Sequence, residues 1–209
     1  AIWAYGLAGR SGLLSSTAYA LQPYVDSQKI PTTFPVAAPD DITQRKPAKW
    51  IVRTGWATSQ PMHPFGEWVA KNLKYKRIAI IAMDYSFGWE TVGGFQQTFE
   101  DNGGQIVQKL WVPLNTNDFG PYLPQIRRDT DAVFALFVGN LALQFIKQYD
   151  SSDLKGRLPL IAAGTTTDES VLSSMGDEAL GIVTAHDYSA ALDTPANRRF
   201  AKAYEAKTG

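Results

Sequence analysis

The residues able to do chemistry in this chain are few. Cysteine is absent from all 209 positions, which removes thiolate nucleophiles, thiolate metal ligands and disulfides together. Only two histidines occur: His63, between Met62 and Pro64 in a connecting segment, and His186. No His-Glu-x-x-His pair, Gly-x-Ser-x-Gly turn, Gly-x-x-x-x-Gly-Lys-Ser/Thr loop or Gly-x-Gly-x-x-Gly fingerprint is present. No cluster has metal-ligand spacing. The expectation is therefore no catalytic residue, no metal and no cofactor. Hydroxyls and rings remain. Ser15-Ser16-Thr17 opens a helical stretch, where hydroxyls and free backbone N–H groups suit an anion. Plain helix capping accounts for the same residues.

Stepping along the chain, apolar periodicity supplies the elements that must position these groups. Ile78 to Met83 is a short apolar run, as a buried parallel strand requires. Ser86 to Asn102 reads as a helix with Val92, Phe95 and Phe99 on one face, ended by Gly103-Gly104. There follow a strand at 105–112, a helix at 122–128, a strand at 132–138, a helix at 141–149, a strand at 159–163 and a short helix at 168–175. Phe65, Trp68, Val69 and Leu73 mark a helix feeding the first of these strands. The alternation predicts an α/β fold with a doubly wound parallel sheet. Flanking it are a helix at 15–28, strands at 30–35, 50–54 and 182–185, and a helix opened by Thr194-Pro195.

Ligands of such sheets sit beyond the carboxyl ends of the strands. That singles out 84–89, Gly139-Asn140 and Gly164-Thr165-Thr166-Thr167. The same residues can be read as turns capped by Ser86 and Asp168. Twenty basic and twenty acidic residues cancel and are dispersed, so neither nucleic acid nor an anionic membrane is an expected partner. No run approaches the ~20 apolar residues of a membrane span.

The outer pieces carry a resemblance. Leu14 to Ala20, Pro23, Ile30-Pro31, Pro35, Ile42-Thr43 and Val52-Arg53-Thr54 resemble the leucine/isoleucine/valine-type periplasmic solute-binding proteins of ABC importers. Arg77 to Ile81, Tyr85-Ser86-Phe87-Gly88, Asp118-Phe119, Gly176 to Gly181, Asn197 to Phe200 and Ala203-Tyr204 continue it in order. The resemblance spans nearly all of residues 13–209. It implies two doubly wound lobes closing on a ligand that is handed to a membrane permease. Lobe I would comprise 1–54 plus 186–209, and lobe II 55–185. It further implies a periplasmic, monomeric protein whose leader has been removed. Two departures stand out. Roughly two βα units of the family pattern are missing between Gly12 and Leu13, and the chain stops before the family's last elements, so an incomplete first lobe is expected.

By the same resemblance the ligand is a small carboxylate. Its anion would meet Ser15, Ser16 and Thr17, with Ala37 and Ala38 adding backbone contacts. Phe87 stands where the family has a ligand-touching Tyr, with Asn140, Thr165, His186 and Tyr5 nearby. Amino-acid binders of the family place an acid after the strand equivalent to 159–163. Here that stretch is Gly164-Thr165-Thr166-Thr167, with no carboxylate before Asp168. A buried ammonium without an anion is costly. Phe87, Trp89, Trp56, Tyr5 and Tyr188 offer rings instead. The expected ligand is an aromatic acid of the benzoate, hydroxybenzoate or phenylpropanoid type. Alternatives are a branched-chain amino-acid binder, a sensory domain of the same fold, and an enzyme turning over a bound aromatic acid.

Overall fold

The computed structural model describes residues 14–208. Helix α1 (Ser15–Gln28) leads to β1 (Thr32–Phe34) and β2 (Ile51–Arg53), which pair in parallel, Thr33 opposite Val52. Ala18, Val25, Phe34, Ala37, Ile42 and Ile51 close a small core around this pair. The C-terminal Lys29 of α1 adopts φ 54°, a left-handed stop made without glycine. Both strands are shorter than the stretches read from the sequence.

The larger unit is a parallel sheet of five strands. In chain order these are β3 (Arg77–Met83), β4 (Gln105–Val112), β5 (Ala132–Leu136), β6 (Leu160–Ala163) and β7 (Val183–Ala185), arranged β4-β3-β5-β6-β7. Every residue of β5 and β6 is buried, whereas β4 at the edge is half-exposed along most of its length. This is what apolar runs in the centre and mixed composition at a rim produce. Helix α2 (Met62–Trp68), extended by a π-turn (Val69–Leu73), packs on α3 (Ser86–Asp101). Gly66 makes that contact possible, because a Cβ there would lie 2.3 Å from the Phe95 carbonyl oxygen. α4 (Asn140–Asp150), α5 (Glu169–Leu172) and α6 (Pro195–Thr208) complete the order. Phe95 stacks on Phe134 at 4.5 Å, joining helix layer to sheet.

Three local expectations are corrected. The helix read at 122–128 is a single 3-10 turn, Leu123–Gln125. The Gln108 side chain of β4 donates to the Gln125 carbonyl and accepts from the Arg127 N–H, taking groups a longer helix would need. The strand read to 138 ends at Leu136. There Thr166 Oγ1 meets the Phe137 N–H at 3.1 Å, so a hydroxyl replaces the next ladder partner. Ser86 does not cap α3. Tyr85 holds that position, and Ser86 Oγ is buried without a partner among the described residues. The other two caps match expectation: Asp168 accepts from Ser170 N–H, and Thr194 Oγ1 accepts from Asn197 N–H.

Candidate functional site

The strand order reverses at β3, with β4 on one side and β5 to β7 on the other, so a ligand crevice belongs at the carboxyl ends. A niche lies there. Its apolar wall is Trp56, Pro61, Met62, Phe87, Ala163 and Ala185, and its polar points are Thr58, Thr91, Thr165 and His186. The free volume is about 10 Å³, enough for about one water.

Each wall has a traceable cause. Phe87 and Thr91 are one turn apart on α3, and Thr91 Oγ1 donates to the Phe87 carbonyl at 2.7 Å. Trp56 meets Phe87 edge-on at 5.8 Å and His186 at 5.9 Å, and Tyr85 lies 5.9 Å from Phe87. Burial pushes the Tyr85 hydroxyl up to about 12, so it stays neutral at physiological pH. Gly164 is required by the approach of His186: an added Cβ would stand 2.3 Å from the imidazole Cδ2. On its outer side His186 Nδ1 faces Asp187, whose backbone N–H is 2.9 Å away and whose carboxylate also contacts the ring. Nε2 lies 3.9 Å from Asp168 Oδ2. The Asp168 carboxyl is held below its usual range chiefly by hydrogen bonding to Ser170.

Of the residues singled out from sequence, Phe87, Thr165 and His186 come together in this niche. Ser15, Ser16 and Thr17 form the first turn of α1, where Leu14 holds the cap position without a side-chain bond; Ser15 is buried and Ser16 exposed. Ala37 and Ala38 are buried after β1. The Ala38 carbonyl accepts from Thr58 N–H (2.8 Å), Thr58 Oγ1 (2.6 Å) and Arg53 (3.2 Å), so that oxygen is already committed within the chain. Asn140 is exposed at the start of α4 and does not line the niche. Tyr5 lies outside the described residues. Two of the rings also stand apart. Trp89 is exposed with its indole N–H on Asp84, and Tyr188 donates to Asn197 Oδ1 while packing on Phe200. His63 lies on a separate groove with Trp89 and Glu90. Thr58, Thr91 and Met62 carried no local signal, since a lone threonine or methionine in sequence does not announce a shared wall.

The sequence profile of the periplasmic binding proteins matches residues 9–209. The chain belongs to the periplasmic binding protein family. A Leu/Ile/Val-binding protein homologue of Brucella melitensis is 33% identical over 186 residues, which is 88% of this chain and 47% of the relative. A solute-binding protein of an ABC transporter from R. palustris, solved with benzoate, superposes with TM-score 0.83 at 31% identity. It shares 93% of this chain and 53% of its own. A second, from Rhodopseudomonas palustris BisB5 with 3,4-dihydroxybenzoic acid, superposes at 0.81 with 35% identity, covering 94% and 54%. The chain thus spans about half the length of the periplasmic binding proteins it matches. Among the described residues no cluster of three or more histidine and acidic side chains could hold a metal ion, and no helix is long and apolar enough to cross a membrane.

Proposed function

We propose that this protein is the extracytoplasmic solute-binding component of an ABC importer and that it captures an aromatic carboxylate between two lobes. Lobe I comprises 1–54 with 186–209, and lobe II comprises 55–185. The observation that carries the reading is the niche wall: Trp56 lies 5.8 Å from Phe87 and 5.9 Å from His186, and no carboxylate is among the lining residues. Aromatic walls favour a ring seated at the mouth of the niche, whose interior holds only about one water, and an ammonium would lack a partner there. The benzoate and 3,4-dihydroxybenzoate complexes described above support the same class. The ligand's carboxylate meets the first turn of α1 at Ser15–Thr17, where no acidic side chain competes. A permease in the membrane is the partner that receives the ligand.

A branched-chain amino acid is the second reading, favoured by Asp168. That carboxylate would have to turn from His186 to the ligand ammonium. Thermal unfolding in the presence of benzoate, hydroxybenzoates, phenylpropanoids, leucine and valine separates the two. A ligand at a hundred times its dissociation constant stabilises the fold by about 2.7 kcal/mol. A rise in melting temperature with aromatic acids alone is expected. A rise with leucine or valine alone would replace the aromatic reading by the amino-acid one.

A further inference from the structure

We propose that the hydrogen bond from Tyr19 to Glu90 is the latch that holds the smaller and the larger unit of this protein closed on one another. This rests on the two-lobe reading above and holds for any ligand taken between the lobes.

Bonds between the two units fall into two kinds. The first kind lies beside the points where the chain passes from one unit to the other. Near the passage at 54–55 the Ala38 carbonyl accepts from Thr58 N–H and Oγ1, at 2.8 and 2.6 Å, and Asp40 Oδ1 accepts from Ser59 N–H at 3.1 Å. Near the passage at 185–186 Glu169 accepts from Ser189 Oγ and, at 3.1 Å, from Ala190 N–H. Thr58, Ser59, Ser189 and Ala190 stand only a few residues past a passage, so the chain itself keeps them near their partners when the units turn. Tyr19 and Glu90 are of the second kind. They are 71 positions apart, on α1 and α3, and β1 and β2 intervene between Tyr19 and the nearer passage. No short tether restores this bond once the units part.

Position and chemistry both suit a latch. Tyr19 follows Ser15 by one helical turn on α1, and Glu90 follows Phe87 by one turn on α3. The bond therefore joins the two helices next to the residues assigned above to the ligand's carboxylate and ring. The Tyr19 hydroxyl is aimed in advance: its oxygen accepts from the Asp41 N–H of its own unit at 3.1 Å, which leaves the O–H for Glu90. Burial, reinforced by the bond to Glu90, pushes that hydroxyl up, so it stays a donor at physiological pH. The second Glu90 oxygen accepts from the Asp40 N–H at 3.1 Å, which fixes the carboxylate that receives Tyr19. Both side chains are half-buried. A closed state without the hydroxyl leaves the Asp41 N–H and one carboxylate oxygen short of a partner, and opening returns both to water.

Cysteine is absent from the sequence, so Lys49→Cys and Lys109→Cys, exposed on the smaller and the larger unit, take a pair of spin labels with no competing thiol. Electron–electron distance measurement on this pair, with no ligand added, tests the latch. With Tyr19 intact a single narrow distance is expected. Tyr19→Phe should lower the closed-to-open ratio about tenfold or more and add a longer distance, with helical circular dichroism unchanged. Glu90→Gln, which keeps an acceptor for Tyr19, should keep the narrow distance. A Tyr19→Phe distribution identical to the wild type would overturn the latch. So would a wild type already spread over both distances, or broadening in Tyr19→Phe that comes with loss of helix signal. Tyr19→Glu sets a second carboxylate against Glu90 and separates this failure from failure of the two-lobe reading. Opening by Tyr19→Glu but not by Tyr19→Phe means that the lobes move and another contact holds them. Opening by neither overturns the two-lobe reading and the latch together. Should Tyr19→Glu fail to fold, Tyr19→Phe and Glu90→Gln still decide the latch.

Discussion

Away from the niche, one carboxylate ties the smaller unit to the larger. Glu90 on α3 accepts from the Tyr19 hydroxyl of α1 and from the Asp40 N–H at 3.1 Å, while Asp40 Oδ1 accepts from the Ser59 N–H at 3.1 Å. Burial pushes the Glu90 carboxyl above its ordinary value of 4.5, and the bonds from Tyr19 and Asp40 only partly oppose it. The native state therefore binds this proton more tightly than the unfolded chain. The contribution of Glu90 to stability is fully present below pH 4.5 and is lost as pH rises through the higher folded value. Glu90→Gln keeps a hydrogen-bonding side chain but no charge. Urea midpoints of this variant should vary less with pH above 4.5 than those of the wild type, and at neutral pH it should be at least as stable. A variant much weaker at neutral pH, with the wild-type pH slope unchanged, would show instead that ionised Glu90 is a net support. Neither Tyr19 nor Glu90 stood out in the sequence. They are 71 residues apart, and no local pattern joins them.

At the scale of elements, the α2–α3 contact depends on glycines that differ in what surrounds them. A Cβ on Gly66 would meet the Phe95 carbonyl at 2.3 Å and Thr98 Oγ1 at 2.4 Å, and one on Gly93 would meet nothing within 4 Å. Gly66→Ala should therefore destabilise the fold by about 1–3 kcal/mol through forced separation of the helices. Gly93→Ala, on the exposed face of α3, should stabilise by about 0.5–1 kcal/mol. Urea unfolding of the two variants tests the pair, and a neutral Gly66→Ala would mean the helices can part freely. Existence and order of most elements were legible because apolar period is a local property. The boundaries moved where a side chain from elsewhere intervened, as Thr166 does at the end of β5 and Gln108 does after β4.

Across the whole molecule, the two cores differ in how much each can bury. β3, β5 and β6 are sandwiched in a five-stranded sheet, with Phe95, Phe99 and Phe134 fully buried beside them. Among the described residues β1 and β2 form a sheet of two short strands, an arrangement with little independent stability. Native-state hydrogen exchange should find the amides of 78–82 and 133–136 slowest and those of 32–34 faster by about a hundredfold or more. Uniform protection would instead make the two cores a single cooperative unit. The sequence by itself determined that no thiol is available in these 209 residues, the parallel α/β architecture, and a family resemblance carried by motifs spread along the chain. Those depend on composition and short-range period. Tertiary structure alone decided that Phe87, Thr165 and His186 share one wall with Trp56. It alone placed Trp89 and Tyr188 elsewhere and left one threonine hydroxyl of three in 165–167 without a partner among the described residues. Such juxtapositions depend on where strands from distant parts of the chain end, and on which neighbours reach each polar group first.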